Sequence, residues 1–185
     1  TTYEEIDRDG IRKILRSAEA EKPDITVAML HWGSENNDTI SKTQESIVSL
    51  MQKEGVDIIL GTHPHLVQKI DYNVGTNTLV AYSLGDFFGD GSRGGTNYSI
   101  ILDIEITKDS ASGTTRITDY SYTPIYTLTE TQCDGYRRVV RIEEAMLAYD
   151  GNFVDSVTPA CYEDMKYSLQ RIEERIHPKE ETAEK

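Results

Sequence analysis

The first half of the chain alternates amphipathic segments with short segments that are apolar almost throughout. Residues 4–20 and 40–51 place aliphatic residues among charged ones at the spacing of one helix face. Residues 25–30 and 56–60 are short, aliphatic and show little alternation, as in strands buried on both faces of a parallel sheet. The order strand, helix, strand over residues 25–60 predicts a βαβ unit, whose right-handed crossover makes the two strands parallel.

Polar residues and one glycine mark the ends of the second predicted helix. Ser41 and Gln44 have the spacing of a capping box at its N-terminus, and Asp38 is the alternative N-cap. Gly55 is placed to end the helix, because glycine readily adopts the left-handed backbone of a C-terminal cap.

The second half of the chain changes to alternating strands and then to helices. The segments SIILDIEI and ITDYSYTPIY alternate apolar and polar residues, as antiparallel strands with one solvated face do. The fold class predicted is α/β, with a parallel strand-helix-strand unit, then antiparallel strands, and helices covering the sheet. The strands are expected at 66–72, 78–83, 98–107 and 115–127, and the helices at 137–149 and 160–176.

The net charge of −13 changes the range of partners that the chain is expected to bind. Nucleic-acid recognition needs a basic patch, so that class of function is excluded. A polyanionic substrate would not be attracted over long range either. Residues 171–185 are highly charged and read as a solvated helix end. Cys133 and Cys161 form either one disulfide or two free thiols, and their spacing does not decide between these alternatives.

Three of the four histidines directly follow the two predicted parallel strands. His31 comes after residues 25–30, and His63 and His65 come shortly after residues 56–60. The carboxyl ends of parallel strands meet at one edge of a sheet, where α/β proteins bind their ligands. Imidazole is both a common metal ligand and an acid or base near neutral pH. We therefore expect the three rings to meet at this edge.

The sequence His63-Pro64-His65 favours a pair of imidazoles on one side of the chain. A residue before proline avoids the helical region, so His63 is expected to be extended. Residues two apart in extended chain point to the same side, as a metal pair or an acid/base pair requires. The alternative is a loop in which both histidines bond to backbone carbonyl groups.

Two carboxylates and one arginine accompany these histidines. Glu35 would serve as a ligand, a general base or an orienting partner for a histidine, or it is a solvated surface carboxylate. Asp86 belongs to YSLGDF, a third strand-end loop, and it either has a functional role or bonds to its own turn. Arg93 is the nearest cation for an anionic group, and its alternative is a plain surface arginine.

Together, the motifs HWGSEN, EGVDIILGTHPHLVQ and AYSLGDFF resemble the bacterial capsule-synthesis protein A family, the poly-γ-glutamate synthesis (PGA_cap) proteins. The likeness covers roughly residues 1–127. It implies a calcineurin-like metallophosphoesterase fold, a sandwich of two sheets flanked by helices. Residues 1–130 would form the second half of that domain, and residues 131–185 a helical C-terminal extension that packs on it or trails from it.

The resemblance also implies roles for five residues. His31, His63 and His65 would be metal-site histidines for a divalent ion of the Zn, Mn or Fe class. His31, Glu35 and Asp86 would be catalytic, with Asp86 standing where the family usually has asparagine. The full-length protein would cut or transfer an amide or phosphoester link, whereas this chain alone would be inactive. The alternative is a non-catalytic component that binds polymer or a partner.

The implied partners are poly-γ-glutamate or another cell-surface polymer and other capsule synthesis proteins. The implied location is extracellular, at the cell surface, through a membrane anchor upstream of Thr1. The early Asp, His and Asn ligands of such sites are expected upstream as well. A sheet cut at this point would expose an unpaired edge, which predicts dimerisation through that edge.

Overall fold

Two sheets and four helices form the described part of a computed structural model, namely residues 7–133, 135–154 and 157–178. The predicted α/β class with a parallel and an antiparallel sheet is confirmed. The elements in chain order are α1 (Arg8–Ala20), β1 (Val27–His31), α2 (Lys42–Lys53), β2 (Ile58–Thr62), β3 (Ile70–Asn73), β4 (Thr78–Ala81), β5 (Tyr98–Lys108), β6 (Thr115–Leu128), β7 (Arg138–Arg141), α3 (Ile142–Asp150) and α4 (Pro159–Ile176).

The first sheet has the strand order β1-β2-β4-β3. Strands β1, β2 and β4 are parallel, and β3 runs antiparallel to β4. The predicted βαβ unit is confirmed, with α2 as its crossover. Ser41 caps α2 and forms the predicted capping box with Gln44. The strand predicted at 66–72 is a strand only over Ile70–Asn73, and Val67 before it makes one isolated antiparallel bridge to Leu84.

Strand β1 is not buried on both faces, contrary to the prediction. It lies at the edge of the sheet, and no described strand pairs with its outer side. Val27 is 49% exposed and Met29 is 75% exposed. The second sheet covers the neighbouring strands but leaves this face of β1 open. An apolar run in sequence therefore corresponds here to an edge strand with one uncovered apolar face.

We expect the predicted dimerisation to use this edge and to depend on Met29. Unpaired strand edges with exposed apolar side chains associate with other chains, and a lysine on the edge opposes that association. Met29→Lys should give a monomer at concentrations where the unsubstituted chain associates, as measured by sedimentation velocity. Val74→Lys is the control, since Val74 is 79% exposed in the turn between β3 and β4. A monomeric unsubstituted chain, or an equal effect of both substitutions, would contradict this prediction.

The second sheet is antiparallel, with the order β5-β6-β7. Residues 137–149 do not form one helix as predicted, because Arg138–Arg141 pairs with the end of β6 before α3 begins at Ile142. Four residues of mixed polarity carry too little periodicity to distinguish a short strand from a helical turn. The strand exists because the long β6 offers it an edge to pair with.

The C-terminal helices share one core with the sheets. Met165, Ile172 and Ile176 of α4 are fully buried in the cluster that contains Leu79 and Ile100. The prediction that the chain is a solvated helix end from residue 171 onward is thus wrong as far as Ile176; residues 179–185 lie outside the described part. Residues on both sides of the predicted boundary at residue 130, among them Leu128 and Ile142, belong to this cluster. Both cysteines are buried and free.

None of the helices in the described residues is long and apolar enough to span a membrane.

Candidate functional site

Three loops meet at the carboxyl ends of the parallel strands. His31 is the last residue of β1, and its register partner is Thr62, the last residue of β2. His63 and His65 follow β2 directly, and Asp86 follows β4. The topology of the sheet therefore brings the three motifs to one edge, as the βαβ prediction implied for the histidines.

The three imidazole rings are neighbours. The ring centroids of His31 and His63 lie 4.3 Å apart, and those of His63 and His65 lie 6.2 Å apart. His63 is not extended, because its φ is +95°, and His65 has a φ of +61°. The rule for residues before proline is overridden by a tight loop. Left-handed backbone at non-glycine residues costs free energy and is concentrated at functional sites.

Asp86 binds one of these rings. Nδ1 of His65 lies 2.9 Å from Oδ1 and 3.0 Å from Oδ2 of Asp86. A carboxylate accepts hydrogen bonds only, so Nδ1 carries the proton and Nε2 is left as the basic nitrogen of the neutral ring. Both side chains are half-buried. The pair therefore has the arrangement of a proton acceptor oriented by a carboxylate.

The rings open onto two different spaces. His31 and His63 line a cleft of about 1190 Å³ beside Trp32 and α1. His65 lines a second cavity of about 300 Å³. We call this second space the dyad cavity. It is lined by Glu35, Asn36, His65, Asp86, Phe88, Gly89, Asp90, Ser92, Arg93 and Thr96.

The residues predicted as metal ligands do not fit a metal centre as they stand. Within the described ranges, no group of three or more His, Cys, Asp or Glu side chains is placed to hold an ion. A catalytic zinc site commonly uses three protein ligands and one open position. The hydrogen bond from Nδ1 of His65 to Asp86 leaves Nε2 free, as in many metal-ligating histidines, but this ring lines a different cavity from the other two. We derive no chemical step through a metal, and the metal assignment stays a prediction.

Trp32 supports the loop that carries Glu35. Its indole Nε1 donates a hydrogen bond of 2.9 Å to the carbonyl oxygen of Tyr82, and the two rings stack with centroids 5.8 Å apart. Burial, followed by the nearby charges of Asp71 and Glu45, raises the pKa of Tyr82 to about 12. The phenol is therefore neutral at physiological pH and acts as an apolar packing surface for the indole.

A buried pair of glutamines fixes the same loop. Gln44 and Gln68 are almost fully buried, and Nε2 of Gln44 donates a hydrogen bond of 3.1 Å to Oε1 of Gln68. Nε2 of Gln68 donates in turn to the backbone oxygens of Asn37 and Thr39, at 3.0 and 3.4 Å. Gln68 is not among the functional residues predicted from the sequence. Its only signal is a polar residue inside the apolar stretch LVQKI.

Replacing Gln68 with leucine should lower the free energy of unfolding by about 1–3 kcal/mol. The substitution keeps the approximate volume but leaves the amide of Gln44 and the two carbonyl groups without this partner in a buried place. Thermal unfolding followed by circular dichroism measures the loss. Gln170→Leu makes the same change on an exposed face of α4 and should stay within about 0.5 kcal/mol. Equal losses for both variants would contradict the structural role of Gln68.

The comparisons with known proteins agree with the motifs. The family described as "Bacterial capsule synthesis protein PGA_cap" matches residues 1–91. The "PGA biosynthesis protein CapA" of Bacillus subtilis (strain 168) is 36% identical over 110 residues, which are 58% of this chain and 27% of that protein. The "Capsule biosynthesis protein CapA" of Bacillus anthracis is 41% identical over 68 residues, which are 36% of this chain and 16% of that protein. The chain thus spans less than a third of the length of these relatives.

Proposed function

The chain belongs, through residues 1–91, to the bacterial capsule synthesis protein PGA_cap family, and from this premise we propose that it processes a capsule polymer such as poly-γ-glutamate. The proposed reaction is cleavage or transfer of an amide or phosphoester link by the full-length protein. The single observation that carries the proposal is the hydrogen-bonded pair of His65 and Asp86 at the wall of a cavity.

The proposed chemistry is proton transfer by His65. Nε2 takes a proton from the attacking water or hydroxyl group, and a new bond forms to the carbonyl carbon or phosphorus. The imidazolium then returns that proton to the leaving nitrogen or oxygen as the original link breaks, so the ring ends as it began. Asp86 stabilises the imidazolium and keeps the ring in the productive tautomer.

The other predicted residues have supporting roles in this proposal. Glu35 and Arg93 line the dyad cavity with His65. A net charge of −13 repels a polyanion, so a local cation is needed to hold a carboxylate of the polymer. We assign that role to Arg93. His31 and His63 adjoin the pair and face the larger cleft, which would accept the chain on one side of the cleaved link.

We also propose a location and partners for the full-length protein, on the basis of the family. The full-length protein would act at the cell surface, together with other capsule synthesis proteins. A divalent ion of the Zn, Mn or Fe class is part of the same expectation, and the proton transfer by His65 does not require it.

A second candidate is a non-catalytic component that binds polymer or a partner protein. It is supported by the lack of a three-ligand metal cluster among the described residues. In this candidate the histidines hold the loops in place and transfer no proton.

Polymer production by cells that make the full-length protein separates the two candidates. His65→Ala should lower the amount of polymer, or change its chain length, by about tenfold or more, because general acid–base catalysis contributes at least that much. His177→Ala is the matched control, since His177 is exposed beyond the end of α4. Unchanged polymer with His65→Ala, at unchanged protein level, would reject the catalytic proposal and leave the binding candidate.

A further inference from the structure

We infer that helix α4 is a working part of the site, with Arg175 as a positioning residue that acts through Asp38 on the loop carrying the His63-Pro64-His65 motif. Helix α4 lies outside residues 1–91, the part that the family description matches. The inference rests on the proposed function in one respect, because it takes the His65–Asp86 pair as the reacting group that is positioned.

The first step is an ion pair between α4 and the loop after β1. Nε of Arg175 donates a hydrogen bond of 2.9 Å to Oδ2 of Asp38, and Nη2 of Arg171 lies 3.4 Å from the same oxygen. The side chain of Arg175 is only 9% exposed, and its guanidinium lies 5.5 Å from the ring centroid of Tyr98. A guanidinium held this way has little freedom to move, so Asp38 is anchored to a rigid helix.

The second step leads from Asp38 to the histidine loop. The backbone N–H of Asn36, two residues before Asp38, donates a hydrogen bond of 2.9 Å to the carbonyl oxygen of Pro64. Pro64 lies between His63 and His65. A shift of the loop at Asp38 would therefore be transmitted to the backbone that orients both rings.

The third step is the strain of these loops. Asn36, His63 and His65 all have positive φ, at +57°, +95° and +61°. Such conformations persist only where surrounding contacts hold them. Gln68 holds the loop after β1 through hydrogen bonds to the backbone oxygens of Asn37 and Thr39. Arg175 holds it from the side of α4, through a different residue and a charged contact.

The ion pair of Arg175 is not a surface ion pair, because its side chain is only 9% exposed. Nη1 is buried and has no hydrogen-bond partner among the described residues, which costs free energy. The contacts of Nε with Asp38 and of the guanidinium with Tyr98 are what offset the burial of this side chain.

The test reads the imidazole rings directly, by NMR of their Cε1–Hε1 groups, in the whole chain. With four histidines the signals are assigned by single substitutions. Arg175→Gln and Asp38→Asn should each shift the signals of both His63 and His65. The double variant should add little to either single one, because both remove the same contact. Arg175→Lys, which keeps the charge, should shift these signals less than Arg175→Gln does. Lys166→Gln on the same helix should leave both signals in place.

The outcomes separate a positioning role from a merely structural one. If melting temperatures fall while the His63 and His65 signals stay unchanged, Arg175 only stabilises the fold and the inference is overturned. If Arg175→Gln does not fold, Asp38→Asn gives the same readout from a half-exposed residue.

Polymer production is measured separately. A displacement of the reacting group by about 1 Å would lower activity about 10²-fold. If the α4 variants shift the His63 and His65 signals but His65→Ala leaves polymer production unchanged, the positioning role is retained and the proposed function is rejected. If His65→Ala lowers polymer production but the α4 variants leave the signals in place, the proposed function is retained and the positioning role is rejected.

Discussion

Asp86→Leu should lower the polymer-processing rate of the full-length protein by about 10²–10⁴-fold, the range in which a positioned acid–base group contributes. The carboxylate receives Nδ1–H of His65 at 2.9 and 3.0 Å. Leucine removes both acceptor oxygens and the negative charge. The ring is then free to rotate and to carry its proton on Nε2, which is the nitrogen that has to accept one.

Asp86→Asn is the informative companion to this substitution. Its amide oxygen can accept the hydrogen bond from Nδ1, although its NH2 group can also donate to that nitrogen, and the charge that stabilises the imidazolium is lost. We expect a smaller loss of rate than for leucine, with the Michaelis constant nearly unchanged. Asp90→Asn is the matched control, because Asp90 lines the same cavity and bonds to the backbone of Ser92 instead of a ring. Equal rates for the leucine, asparagine and control variants would exclude Asp86 from the chemistry.

Local patterns were sufficient to predict the βαβ unit and the loops at its end. The helix of this unit has a capping box and an amphipathic face, and the strands are short aliphatic runs, so each signal lies within a few residues. The rule that parallel strands share a carboxyl edge then places His31 beside His63 without knowledge of the rest of the chain. Asp86 reaches the same edge because β4 pairs parallel to β2, which its sequence does not reveal.

The features that were not predicted depend on contacts between distant residues. Met29 is exposed because no other described element packs on its face of β1. The sequence of residues 25–30 carries no information about that. The positive φ of His63 opposes the local preference before proline and is held by the loop that binds Pro64. Arg175 and Asp38 are 137 residues apart, so a charged tail in sequence becomes an anchor for the site only in the folded chain.

Gly61→Ala is expected to have the largest effect on stability. Gly61 lies in β2, two residues before His63, and it is fully enclosed between the carbonyl oxygen of Tyr82 and Nε1 of Trp32. A Cβ at this position would overlap both atoms, and these two atoms are bonded to each other at 2.9 Å. The methyl group would therefore separate the indole from its acceptor in a buried place that has no flexible side chain to yield.

The expected loss is about 2–6 kcal/mol in the free energy of unfolding, since overpacking costs about 1–3 kcal/mol and a buried donor without a partner costs a similar amount. For a chain of this length that corresponds to a melting temperature lower by roughly 4–24 °C. Trp32 is the single tryptophan, so its fluorescence reports on the same contact during thermal unfolding. Gly94→Ala is the control, because a Cβ there meets no atom within 4 Å. If the Gly61 and Gly94 variants had the same melting temperature, the Trp32–Tyr82 contact would not be the reason that glycine is required at position 61.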